Sequence, residues 1–140
     1  MKKLQIAVVL LLFFSCSKSV EKDRLQYLSG YWEIEKVVFP NGSTRQYTIN
    51  QTIDYMTLNP DSTGFRKKVQ PQLNSTFLIT GHTEYFKINT TEDTLKIQYN
   101  TTLDKWEETI VSIKKNELVM KNKNNLMYFY KRFQSVNLNQ

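Results

Sequence analysis

The sequence predicts an all-β protein: a small antiparallel up-and-down barrel of eight or nine strands, preceded by a short N-terminal helical turn. Three observations predict it. Short runs of β-branched and aromatic residues recur from Gly30 onward, with starts spaced by roughly ten residues. Asn, Asp, Gly and Pro clusters punctuate them, and the chain holds fourteen Thr and twelve Asn. Amphipathic helical stretches are scarce. Only Glu21 to Leu28 has the pattern for a turn or two, with Leu25 and Leu28 placed to pack across one end of a barrel.

The elements follow in order. Tyr31 to Phe39 is the first strand, with Trp32, Ile34 and Val38 on one face and Glu33 and Glu35 on the other. Pro40-Asn41-Gly42 ends it. Ile53 to Asn59 is the second. Pro60-Asp61-Ser62-Thr63-Gly64 then turns the chain, and Phe65 to Val69 returns with Phe65, Lys67 and Val69 on one face. Thr76–Thr80 and Thr83–Asn89 follow, the latter putting Phe86 and Ile88 on one face. Thr94–Asn100 alternates cleanly, with Leu95, Ile97 and Tyr99 against Lys96 and Gln98. Lys105–Ile113, Glu117–Lys121 and Leu126–Phe133 complete the series.

Charge and composition remove several function classes. Nineteen Lys and Arg against thirteen Asp and Glu give +6. Without the first fifteen residues, Lys2 and Lys3 are lost and the balance is 17 − 13 = +4. That is mild for a nucleic-acid binder, and no basic block compensates, so no nucleic-acid partner is expected. One His and one Cys leave no protein-built zinc site, disulfide, Cys–His nucleophile or haem attachment. No cofactor or metal is implied.

The N-terminus differs from the rest: eleven of its first fifteen residues are apolar, against 45 of the remaining 125. Lys2 and Lys3 precede an apolar run from Ile6 to Phe14. The run falls well short of the ~20 residues needed to cross a bilayer as a helix, and reads as a secretory signal peptide over residues 1–15. Leu12-Phe13-Phe14-Ser15-Cys16 resembles a bacterial lipobox, with a small residue before the Cys. Phe13 stands where the lipobox rule places Leu, and Leu12 lies one position further out, a looser pattern similar to that of Bacteroidetes lipoproteins. The resemblance implies acylation of Cys16, cleavage before it, and a lipid-bilayer partner. Residues 16–24 then form a lipidated tether and residues 135–140 a C-terminal tail. Ser17, rather than Asp, implies the outer membrane, with the periplasmic face and the cell surface both open.

Two motifs resemble the lipocalins and lipocalin-like lipoproteins. Leu28-Ser29-Gly30-Tyr31-Trp32 matches their opening Gly-x-Trp. Tyr128-Phe129-Tyr130-Lys131-Arg132 is similar to their closing strand, whose basic residue lies over the motif Trp. The resemblance covers residues 25–134 and implies a barrel closed through Gly30, Trp32 and Arg132 by a cation–π contact. It further implies a cavity for a small apolar or amphipathic ligand, with Met56, Leu58, Phe65, Phe86, Ile88, Tyr99, Trp106 and Phe129 as candidate lining residues. The competing expectation is a solid barrel or sandwich that docks onto another envelope protein or glycan and carries no small molecule.

Catalysis has no supporting constellation. His82, after Gly81, reads as a turn residue, and no Ser or Cys nearby completes a triad with Glu84. The pairs Glu33/Glu35, Glu92-Asp93 and Glu107-Glu108 lack the signs of carboxyls flanking a cleft. The sequence therefore reads as a binding or interaction module rather than an enzyme.

Overall fold

The structure, a computed structural model, describes residues 22–91 and 93–135. The expected signal peptide, Cys16 and Glu92 lie outside the described residues. A 3₁₀ helix, Lys22–Tyr27, leads into ten described strands: β1 Gly30–Val38, β2 Thr44–Gln46, β3 Ile53–Leu58, β4 Thr63–Pro71, β5 Phe77–Ile79, β6 Glu84–Thr90, β7 Leu95–Asn100, β8 Lys105–Ile113, β9 Glu117–Asn122 and β10 Met127–Arg132. Eight of them form an antiparallel meander, β1-β3-β4-β6-β7-β8-β9-β10, and β10 pairs back onto β1 to close it. Closure leaves no free edge on the main wall. The closing register runs from Trp32 opposite Arg132 to Val38 opposite Met127.

The two ends of the barrel are built differently. At the end where β1 begins, the connections after β3, β6 and β8 are tight turns, and the 3₁₀ helix inserts Leu25 and Leu28 as a plug. The turn after β3 takes its shape from Asp61, whose carboxylate accepts from the Thr63 backbone N–H at 3.0 Å and hydroxyl at 2.6 Å; these bonds hold its pKa below the ordinary value. At the opposite, open end the β1–β3 and β4–β6 connections are long and carry the short strands β2 and β5. β2 pairs with the upper part of β1, and β5 with the upper part of β4.

The β4–β5 hairpin folds over the outer wall. Phe77 stacks on Tyr31 at 4.2 Å, Tyr31 packs on Tyr55 at 4.7 Å, and Phe133 meets Phe77 edge-on at 6.1 Å. Ile53 and Val69, opposite each other on that face, are buried. β2 is an element the sequence pattern did not reveal: its three residues, Thr44-Arg45-Gln46, are all exposed and carry no alternation.

A register irregularity between Ile34 and Lys36 shifts the alternation of β1. Val37 is therefore the buried residue near the strand end, in place of the expected Val38. The main core fills the closed half: Trp32, Met56, Phe86, Ile88, Leu95, Ile97, Ile110, Ile113, Leu118 and Met120, with Leu25 and Leu28 beneath. Gly64 is required there, because a Cβ would strike the Thr57 carbonyl and the Phe86 ring.

Candidate functional site

Strand pairing decides which side chains enter the barrel. Asp54 lies opposite Lys68, Met56 opposite Arg66, and Arg66 opposite Glu84. Glu108 lies between Ile97 on one neighbour and Asn122 on the other. Met56 and Ile97 belong to the core, so every residue in these rows faces inward. One alternate position above the apolar core, the wall thus becomes charged: Asp54, Arg66, Lys68, Glu84 and Glu108.

Arg66 is the centre of this half, with only 9% of its surface exposed. Its Nε donates to Glu84 Oε2 at 2.5 Å, its Nη1 lies 3.5 Å from Glu108 Oε2, and its guanidinium sits 4.6 Å over the Tyr99 ring. Burial works against its charge. The carboxylates of Asp54, Glu84 and Glu108 outweigh that and raise its pKa above the ordinary arginine value. Lys68 Nζ approaches Asp54 Oδ1 at 2.5 Å from the rim, where half of its side chain meets solvent. Tyr99 stacks on Trp106 at 4.7 Å and meets Phe86 edge-on. Asn122 donates to the Tyr128 hydroxyl at 3.2 Å.

The charges do not balance. In this half, three inward carboxylates, Asp54, Glu84 and Glu108, face two inward cations, Arg66 and Lys68. Burial pushes the Glu108 carboxyl above the ordinary carboxylate range, against the pull of Arg66 and Tyr99. Burial likewise drives the Tyr99 and Tyr130 phenols up, so both stay neutral. Among the described residues, the Tyr99 hydroxyl and Glu108 Oε2 are buried without a hydrogen-bond partner. Asp54 Oδ1 meets Lys68 as an ion pair without hydrogen-bond geometry. Orphaned polar atoms in a closed core cost roughly 1–3 kcal/mol each.

The charged half opens upward. A cleft of about 960 Å³ spans the rim between the start of β6 and the β7–β8 turn, lined by residues that include His82, Glu84, Tyr85, Asp104 and Trp106. A second, of about 360 Å³, reaches Glu108 and Asn122 from the other side of Trp106. Among the described residues, no group of His, Cys, Asp and Glu is arranged to hold a metal, and no helix is long and apolar enough to cross a membrane.

The sequence candidates divide. Met56, Phe86, Ile88 and Tyr99 are buried inside, and Leu58 and Trp106 are half-buried against them. Phe65 and Phe129 are on the outer wall instead. In β4 the inward positions belong to Gly64 and Arg66, and Phe65 meets Tyr55 edge-on outside. In β10 they belong to Tyr128, Tyr130 and Arg132, and Phe129 lies under the Lys36 ammonium. Gly30, Trp32 and Arg132 come together: the guanidinium lies 3.8 Å over the indole and donates to the carbonyls of Tyr27, Ser29 and Lys115. Gly30 has φ +128°, and a Cβ there would strike Arg132 Nη1. The Trp32 indole N–H donates to the Leu28 carbonyl at 2.8 Å. Sequence reasoning missed Asp54, Arg66, Lys68 and Glu108. The available signal was their shared phase with inward apolar neighbours, Arg66 with Gly64 and Glu108 with Ile110.

A closed eight-stranded meander, plugged at one end and flanked by clefts at the rim of the other, has the layout of a calyx. The model of the lipocalin-like domain matches residues 28–120, and the chain belongs to that family. Among solved structures, the chain is similar to a lipocalin-like protein from Bacteroides uniformis, with 8% identity, a TM-score of 0.47, and 76% of this chain and 98% of the other covered. It is also similar to an uncharacterized protein from Bacteroides eggerthii, with 7% identity, a TM-score of 0.46, and 75% and 98% covered. No curated protein matches it in sequence.

Proposed function

We propose that the protein is a membrane-anchored binding module of the bacterial cell envelope, acylated on Cys16, that holds a small amphipathic ligand in the open half of its barrel. The observation that carries this reading is the charged half itself. Buried ion pairs are often no more stabilising than apolar residues of similar volume, and the orphaned atoms around Arg66 add cost. A wall built for stability alone would continue the apolar core to the rim. Charge placed beneath an open cleft fits recognition. A lipocalin-like fold supports a ligand-binding or interaction role, and the lipobox resemblance at Cys16 supports the anchor.

Five residues separate Cys16 from Lys22, a reach of about 20 Å when extended. Lys22 begins the 3₁₀ helix at the plugged end. The tether joins the barrel at the end opposite the mouth, which leaves the mouth free to face away from the anchoring bilayer, the outer membrane in this reading.

Two measurements test the reading. Cys16→Ala moves the protein from the membrane fraction to the soluble fraction; a variant that stays with membranes refutes the anchor. Native mass spectrometry of the full chain purified from its host gives a mass above the polypeptide and its acyl groups; a bare mass counts against a ligand. A second reading has its own support: Ile49 and Leu103, 88% and 87% exposed in open-end loops, suit docking onto an envelope protein. One dominant crosslinked partner in cells, lost on Leu103→Ser, favours that role.

A further inference from the structure

We propose that the open half of the barrel binds the ammonium group of a small organic cation, held by Glu108 and Glu84 against the Tyr99–Trp106 stack. This rests on the reading of the barrel as a ligand-binding module and names the class of its ligand.

Four observations carry the inference. The first is the charge count. Asp54, Glu84 and Glu108 face Arg66 and Lys68 on the inner wall of this half, an excess of one carboxylate. In a low-dielectric interior, an added anion meets that excess and is repelled, a neutral apolar group leaves it uncompensated, and a cation cancels it.

The second is a weakly compensated carboxylate. Glu108 Oε2 has no hydrogen-bond partner among the described residues, its nearest cation being Arg66 Nη1 at 3.5 Å. The Tyr99 hydroxyl, on a residue 2% exposed, is the donor beside it and favours its charged form, without a hydrogen bond of full geometry. A cationic head group in the cleft beside Glu108 is attracted to this carboxylate through space and needs no N–H.

The third is the aromatic wall. The Tyr99 ring already carries one cation, the guanidinium of Arg66, at 4.6 Å. Trp106 stacks on Tyr99 almost parallel, is itself half-buried, and lines both rim clefts. A cation over an indole face gains about 0.5–2 kcal/mol, more as water is excluded.

The fourth is access. The side chains of Glu84 and Glu108 are 27% and 12% exposed, and each lines one of the two clefts. Asp104 lines both clefts and adds a rim carboxylate on the approach. Lys123 and His82 are the opposing basic side chains there, one on each cleft.

The test is isothermal titration of the full-length protein in lipid nanodiscs, with empty nanodiscs as the blank. The probes are hexyltrimethylammonium, hexanol and hexanoate, which share one alkyl chain and differ in charge. The expected result is that the cation binds at least tenfold tighter than the alcohol, with hexanoate weakest. Glu108→Gln and, separately, Glu84→Gln each weaken the cation tenfold or more and leave hexanol unchanged, whereas Glu117→Gln at the plugged end changes nothing. Circular dichroism establishes that each variant is folded, and the probe ranking on the unsubstituted protein needs no variant. Hexanol or hexanoate binding as tightly as the cation overturns the inference and leaves the calyx reading standing. No binding by any of the three overturns both.

Discussion

The two halves of the barrel interior are made by the same strands, about one alternate position apart, and they obey different physics. Toward the plug, the wall turns in Trp32, Ile88, Leu95, Ile97, Ile110 and Leu118, each no more than 4% exposed. Burying side chains of this size contributes about 1.5–3 kcal/mol each, so this half holds the fold together. Toward the mouth the wall turns in Asp54, Arg66, Glu84 and Glu108, where each ion loses hydration worth several kcal/mol before pairing repays it. The contrast teaches that a barrel of this size carries its stability at one end and leaves the other free for chemistry. The outer wall adds a second, smaller apolar layer, in which Ile53 and Val69 are buried beneath the β4–β5 hairpin.

Substitutions in the two halves should therefore behave differently. The largest effect falls in the closed half: Trp32→Ala removes the largest buried ring and the platform under Arg132, and urea unfolding should show a loss of about 4 kcal/mol at any pH. In the open half, Arg66→Met leaves Glu84 and Glu108 without their cation and should cost about 3 kcal/mol at pH 7.5. Most of that loss should return when Glu84→Gln and Glu108→Gln are added. A triple variant as unstable as Arg66→Met alone would show that Arg66 acts by packing and would erase the distinction between the halves.

Gly64→Ala sharpens the boundary. The new methyl meets the Phe86 ring and the Thr57 carbonyl, and overpacking of this kind costs about 2 kcal/mol, read as a lower urea midpoint with an unchanged slope.

The smallest effect is the most specific. Burial raises the Glu108 pKa above its ordinary 4.5, so the folded chain holds that proton more tightly than the unfolded one. Its contribution to stability is then full below pH 4.5 and is lost as pH rises through the raised value. Stability measured from pH 4.5 upward should fall in the wild type by more than in Glu108→Gln. The variant should be as stable as wild type at the acid end, because the neutral amide stands in for the protonated carboxyl. Parallel pH profiles would place Glu108 in an ordinary solvated setting.

The closed half was legible in the sequence because its alternation is clean. Leu95, Ile97 and Tyr99 against Lys96 and Gln98 fix a face without a structure. The strand ends also follow turn chemistry closely, with Asp61 holding the turn between β3 and β4. The open half was not legible, for a definite reason. In Gly64-Phe65-Arg66-Lys67-Lys68-Val69 the apolar side chains share one phase, and single-strand logic sends them inward. Register with Leu58 and Phe86 sends Gly64 and Arg66 inward instead. Phe65 and Val69 are apolar because an outer aromatic layer needs them, and that layer depends on a hairpin folding back from a distant part of the chain. In β10 the run Met127-Tyr128-Phe129-Tyr130 has no phase to read, so only pairing with β9 and β1 separates Tyr128 and Tyr130 from Phe129. Irregularities at Ile34/Lys36 and Ile110/Ser112 interrupt the alternation further. Charged residues inside a small barrel become visible only when neighbouring strands are laid side by side.

The division of labour between the halves is tested most directly by intermolecular NOE spectroscopy on the isotope-labelled protein with hexyltrimethylammonium. The trimethylammonium protons should contact the Trp106 and Tyr99 rings and the Glu108 side chain. Contacts to Leu95, Ile97 or Leu118 in the closed half, or saturating binding without contacts to Trp106, would contradict the account.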